Sequence, residues 1–286
     1  MATAGDISSR SMTPARPGRW SSRPSRWWRL SREILFVVSG VLVYFGVRGI
    51  TVTDAQEALD HALHLVELER SLGLYIEPSL QALVIGSDSM VALMNWVYIW
   101  GHWPVIAVVL VWLFFAHPEG YRRTRNAMLF SGGIGLLIFA AFPVAPPRLA
   151  DLGFIDTVSE NSSAYRVLQP PAFVNQYAAM PSLHVGWDLL MGLAIYTYAR
   201  HVLLRVAGVM LPVLMVSSVV LTANHYIIDA AGGALLVVAS MLVVRRFERR
   251  RGRAEPVDAL QQEAMVPEQR TSPDSVADGQ RLSEAS

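Results

Sequence analysis

The sequence predicts an all-α integral membrane protein: a six-transmembrane-helix bundle with an amphipathic helix and a long loop on its extracytoplasmic side. Three observations lead there. Of 286 residues, 52% are hydrophobic and only 16% charged, whereas soluble domains run near a quarter charged. The apolar residues are gathered into long runs, the pattern of helices that cross a bilayer. All 24 basic residues are arginine, and they cluster at the ends of those runs. Cysteine is absent, which excludes disulfide frameworks, thiolate metal sites and cysteine nucleophiles.

Taken in order, residues 1–31 are rich in Ser, Arg, Pro and Gly without apolar period, and read as a disordered basic cytoplasmic arm. A basic run beside an apolar helix suits an anionic lipid surface. Its few aromatics are not spaced to stack bases, so nucleic acid is not the expected partner. Trp27 and Trp28 mark a membrane interface, and Ile34 to Val47 opens the first span. From Asp54 to Leu74, residues Ala55, Ala58, Leu59, Ala62, Leu65, Val66 and Leu68 recur at helical spacing among acids and histidines. This predicts an amphipathic helix lying along the membrane surface. Pro78 starts a second short piece, Ser79 to Ile85.

Met90 to Phe115 reads as the second span and Ala127 to Phe142 as the third. The loop from Val144 to Met180 is long enough to carry function. Leu183 to Tyr198, Leu203 to Thr222 and Tyr226 to Val244 complete the six. The membrane domain is therefore set at residues 32–250, followed by a disordered cytoplasmic tail at 251–286. Arginine-rich segments mark the cytoplasmic side. Both termini are expected inside, in a multi-pass plasma-membrane protein, with His184 and His225 on the extracytoplasmic face.

Those two histidines head the candidate site. His225 and Asp229 are spaced i, i+4 and share a face on a helix. A carboxylate on one imidazole nitrogen fixes the tautomer and leaves the other nitrogen able to attack. His184 follows Pro181-Ser182 at a helix start, where backbone N–H groups and the helix dipole favour phosphate. A histidine there can give a proton to a leaving oxygen. Asp188, one turn on, either holds that histidine or serves span packing. Asn95, Tyr98 and His102 are spaced for one face of span two. They are candidates for headgroup contact, with an aromatic belt as the alternative. Tyr177 can line the same cavity from the loop, while Gly232 and Gly233 are expected to permit close helix contact.

The run Ala-Ala-Met-Pro-Ser-Leu-His-Val-Gly-Trp at 178–187, with Asn-His-Tyr-Ile-Ile-Asp-Ala-Ala-Gly-Gly at 224–233, resembles the second and third signature motifs of the type 2 phosphatidic acid phosphatase superfamily. The wording is most similar to its inositol phosphorylceramide synthase-like branch, and the resemblance covers roughly residues 34–247. It implies His225 as nucleophile, Asp229 as its orienting partner, His184 as general acid and Ser182 as a phosphate contact, with no metal or other cofactor. Leu183 stands where the wider family has glycine, and Ser218-Val219 stand where it has Ser-Arg. Arg148 and Arg166 are the candidates for the missing phosphate-binding arginine. The expected function is a metal-independent phosphatase or phosphotransferase acting on a lipid phosphate through a phosphohistidine intermediate. The alternatives are an inositol-phosphate-type headgroup transferase and a non-catalytic lipid-binding or transport protein of the same fold. The lipid, the acceptor and the oligomeric state stay open.

Overall fold

The computed structural model describes residues 26–50, 54–158 and 176–264. Most of the expected arm, Arg166 and the last part of the expected tail lie outside the described residues. Contacts divide the chain into two units, Met1–Leu42 and Val43–Ser286. The described part of the first is the start of helix α1 (Arg26–Ile50), where Trp27 and Trp28 are exposed. Everything below concerns the second unit.

Its elements are α2 (Ala55–Ser71), α3 (Glu77–Ile85), α4 (Asp88–Trp100), α5 (Trp103–Ala116), α6 (Pro118–Ala141), a 3₁₀ turn (Pro147–Leu149), α7 (Leu183–Tyr198), α8 (Val202–Leu221) and α9 (Ile227–Ala264). Among the described residues, three helices are long and apolar enough to cross a membrane: α6, α8 and the part of α9 up to Arg250. The pair α3–α4, bent by 120°, makes a fourth if it is one broken span. The described residues are thus those of an all-helical membrane protein, with three or four such helices among them. Helix α9 runs on to Ala264, beyond the boundary that composition set at residue 250.

The expected second span, Met90–Phe115, is not one helix. It breaks at Gly101 and His102 into α4 and α5. A side chain at Gly101 would put its Cβ 2.4 Å from the Val97 carbonyl oxygen. Pro104, in the first turn of α5, has no N–H to continue the ladder. The 14 residues of α5 and 16 of α7 reach about 21 and 24 Å at the helical rise. Both fall short of a hydrocarbon core of about 30 Å.

Helix α7 is the centre of the unit and packs against α5, α6, α8 and α9. Its Leu183, Trp187, Leu190, Met191 and Ala194 form one core with Ile106, Leu113, Phe139 and Val237. Because protein surrounds it, α7 can carry polar groups that a lipid-facing helix cannot. Two glycine crossings bring its backbone close to its neighbours. A Cβ at Gly192 would lie 2.3 Å from the Gly208 carbonyl oxygen of α8, and one at Gly233 of α9 would lie 1.9 Å from the Ser182 carbonyl oxygen. Gly232 has no such constraint, since its nearest neighbour is Pro181 Cβ at 3.7 Å.

Asp54 caps α2 by accepting from the Gln56 N–H at 2.9 Å. The apolar stripe of α2 is turned into the protein instead of onto lipid. Ala58, Ala62, Leu65 and Val66 pack on Val144, Ala145, Ala150, Ala179 and Tyr226. The Ala145 N–H donates to the Ala58 carbonyl (3.0 Å), and the Val144 N–H to that of Tyr177 (2.8 Å). Helix α2 is therefore a roof over the loop segments that flank His225.

Candidate functional site

The site is built where α7 and α9 begin. Ser182 is the N-cap of α7, its Oγ accepting from the Val185 N–H at 3.4 Å, which satisfies one of the helix's unpaired donors. Its own N–H donates to the Asp229 carbonyl at 3.0 Å, tying the starts of both helices together. The preceding Met180–Pro181 bond is cis. His184, in the first turn, is half-buried. Its ring lies 4.8 Å from that of Tyr98, 4.5 Å from that of His102 and 5.8 Å from that of His225, between centroids.

His225 lies just before α9 and not on it. Helix α8 closes at Thr222, and the N–H groups of Asn224 and His225 both donate to the Val219 carbonyl, at 2.9 and 3.1 Å. The turn needs a left-handed residue, and it is Ala223, with φ of 54°. That conformation costs an L-residue roughly 1–2 kcal/mol. Strain of this kind persists only where surrounding contacts hold it. Here the Arg148 N–H donates to the Ala223 carbonyl at 3.0 Å.

Asp229 accepts from the Tyr226 N–H at 3.0 Å through Oδ2, a carboxylate reaching back to cap its own helix. The same oxygen stands 3.5 Å from His225 Nδ1. The i, i+4 pair therefore meets, at a distance longer than a formed hydrogen bond. His225 Nδ1 and Asp229 Oδ1 are buried without hydrogen-bond partners. Catalytic hydrogen bonds are often long without substrate and tighten with it.

Arg148 follows the 3₁₀ turn's first proline, and its fork reaches toward the same loop. Nε donates to Asn224 Oδ1 at 3.0 Å and Nη1 to Asp156 Oδ2 at 2.8 Å. Asn224 in turn donates to Thr222 Oγ1 at 2.8 Å. One arginine is thus fixed beside the residue that precedes His225. Arg166 lies outside the described residues.

The remaining candidates separate. His102 is not on one helical face with Asn95 and Tyr98, because the break after α4 makes it the N-cap residue of α5. It still reaches the site, fully buried, with Nδ1 at 2.8 Å from Asp188 Oδ1. Asp188 therefore holds His102 and not His184. Asn95 donates to the Thr157 carbonyl (2.8 Å) and accepts from Thr157 Oγ1 (3.1 Å), so its amide fastens the loop onto α4. Tyr177 packs under α2 with Tyr226.

Sequence reasoning passed over Asp156, Glu69 and Glu77. The two glutamates are fully buried, and they accept from the first N–H groups of α9: Ile228 N–H to Glu69 Oε1 at 2.9 Å and Ile227 N–H to Glu77 Oε1 at 3.0 Å. Burial, and then the adjacent Glu77 carboxyl, push Glu69 up to about 8, so it carries a proton at neutral pH. A signal for it was present, since 58, 62, 65 and 69 continue the apolar stripe of α2 and an acid on that stripe is out of place. Among the described residues, no three His, Asp or Glu side chains converge as a metal site.

Two His–Asp pairs, an arginine and the starts of two helices are thus gathered at one end of the bundle. The chain belongs to the PAP2 superfamily, whose model matches residues 63–243. That segment runs from within α2 into α9 and contains every group just described. Members of the superfamily are phosphatases and phosphotransferases, and membership points to an enzyme of the lipid-phosphatase type. No curated protein and no solved structure matches the chain.

Proposed function

We propose that the chain is a metal-independent phosphatase or phosphotransferase that acts on a lipid phosphate through a phosphohistidine at His225. One observation carries the reading: the ring centroids of His184 and His225 lie 5.8 Å apart, their planes tilted by 57°, so one phosphoryl group can reach both, with Asp229 beside His225. Asp229 accepts a hydrogen bond from Nδ1–H and leaves the Nε2 lone pair to attack phosphorus. The bond from phosphorus to the lipid oxygen breaks as the P–N bond forms, and His184 gives its proton to the departing alkoxide. His184 then takes a proton from water, the water oxygen attacks phosphorus, and the P–N bond breaks to release phosphate.

Arg148 and the N-terminal end of α7 at Ser182 neutralise charge on the phosphoryl oxygens. His102, set by Asp188, buttresses the His184 ring. In this reading the chain crosses the membrane six times, with the termini cytoplasmic and the histidines outside. Substitution of an alcohol for water in the second step gives headgroup transfer, which the wording of residues 178–187 and 224–233 favours. The test is phosphate release from a panel of lipid phosphates by purified protein in detergent with EDTA. Release that persists in EDTA and vanishes in His225→Ala is expected. No release without an acceptor, but product once inositol lipids or other alcohols are added, assigns transfer instead; no product under either condition leaves the reading without support.

A further inference from the structure

At the opposite end of the bundle from the histidines, α6, α7 and α9 enclose a cavity of about 410 Å³. Its rim carries Arg123 from α6 and Arg245, Glu248 and Arg249 from α9, with Tyr198 at the end of α7. Its floor is apolar: Leu190, Ala194, Met241 and Val244. The helical rise places Arg245 and Arg249 about 27 and 33 Å along α9 from Ile227, and Arg123 about 27 Å along α6 from Ala141. Those distances match a hydrocarbon core of about 30 Å, so all three guanidinium groups fall at headgroup level in the leaflet opposite the histidines.

The charges are arranged to take an anion. Arg123 is committed to Glu248, Nε to Oε2 at 2.6 Å, a bridge from α6 to α9. Arg245 and Arg249 stand one helical turn apart, and among the described residues no carboxylate pairs with either. Two guanidinium forks on one face match the oxygens of a phosphate diester. A volume of this size is that of a ligand pocket, and its oily floor gives the carbons next to a headgroup somewhere to go. Basic pockets between membrane helices are suited to anionic headgroups.

We propose that this cavity binds the phosphate headgroup of an anionic phospholipid from the leaflet at the arginine end, with Arg245 and Arg249 on the phosphate. The test uses the full chain purified in a neutral detergent and follows Tm as lipid is titrated. Dioleoyl phosphatidylglycerol is expected to raise Tm saturably, and dioleoyl phosphatidylcholine is not. Arg245→Gln/Arg249→Gln, both at exposed positions, is expected to raise the half-saturating lipid concentration about 30-fold, the effect of two interfacial arginines. Arg122→Gln, next to Arg123 on α6 but outside the cavity lining, is expected to leave it unchanged. Equal shifts with both lipids, an unaltered response in the double variant, or an equal loss in Arg122→Gln overturns the proposal. So does the same shift with inorganic phosphate, which has no carbons for the floor. The readout is binding, so its outcome is separate from that of the histidine chemistry.

Discussion

Two adjacent glycines offer a sharp test of how the site is held. A Cβ at Gly233 would lie 1.9 Å from the Ser182 carbonyl oxygen, while real contacts of this kind stay beyond about 3.0 Å. Gly233→Ala must therefore part α7 and α9 by about 1.1 Å at this crossing. The same displacement stretches the Ser182 N–H to Asp229 carbonyl bond from 3.0 Å past hydrogen-bond range. It also moves His184 relative to His225. Overpacking of this size costs about 1–3 kcal/mol, and a misplacement of about 1 Å costs on the order of 100-fold in rate. Gly232→Ala meets nothing closer than 3.7 Å, which is ordinary contact. The assay is Tm in detergent together with lipid-phosphate turnover. Gly233→Ala is expected to lose several degrees and about 100-fold in kcat, and Gly232→Ala to stay within twofold. Equal behaviour of the two variants, in either direction, refutes the reasoning.

Other outcomes follow from the same contacts. Glu69, ordinarily near 4.5, is raised to about 8 in the fold, so it binds its proton more tightly folded than unfolded. Its contribution is complete below about 4.5 and is lost as pH rises toward about 8, so Tm should fall across that window. Glu69→Gln, which keeps the acceptor for Ile228 N–H, should flatten the slope; an unchanged slope contradicts the assignment. Asp188→Ala leaves buried His102 without its 2.8 Å partner and should cost about 1–3 kcal/mol, with His102→Phe/Asp188→Leu losing less. Denaturation in detergent decides, and a double variant worse than the single would be the contrary result. Arg148→Gln removes the donors to Asn224 and Asp156 and should lower kcat/KM by about 10²–10³; wild-type turnover would remove Arg148 from the site.

What was legible in the sequence was local. The helix start at Pro181-Ser182, the nearness of His225 to Asp229 and the apolar stripe of α2 depend on neighbours within one or two turns and are legible locally, although His225 stands before α9 and not on it. The partnership of His102 with Asp188 spans 86 residues. It needs the chain to break at Gly101, a break that Gly101 and Pro104 signalled but a continuous apolar run concealed. The apolar residues of α7 say nothing of what surrounds the helix, so its central place among α5, α6, α8 and α9 was not legible. Its burial on all sides explains why Asp188 sits within it. Arg148 could be picked as a candidate from Pro146-Pro147-Arg148, yet its partners Asn224 and Asp156 come from packing alone. Glu69 was the avoidable miss, an acid standing on an apolar stripe.

The central claim is that His225 carries the phosphoryl group. Rapid quenching of purified protein with a ³²P-labelled lipid phosphate tests it directly. The account predicts label on the protein that is stable to alkali, labile to acid and lost in His225→Asn. Label that survives that substitution, or turnover by His225→Asn at the wild-type rate, contradicts it.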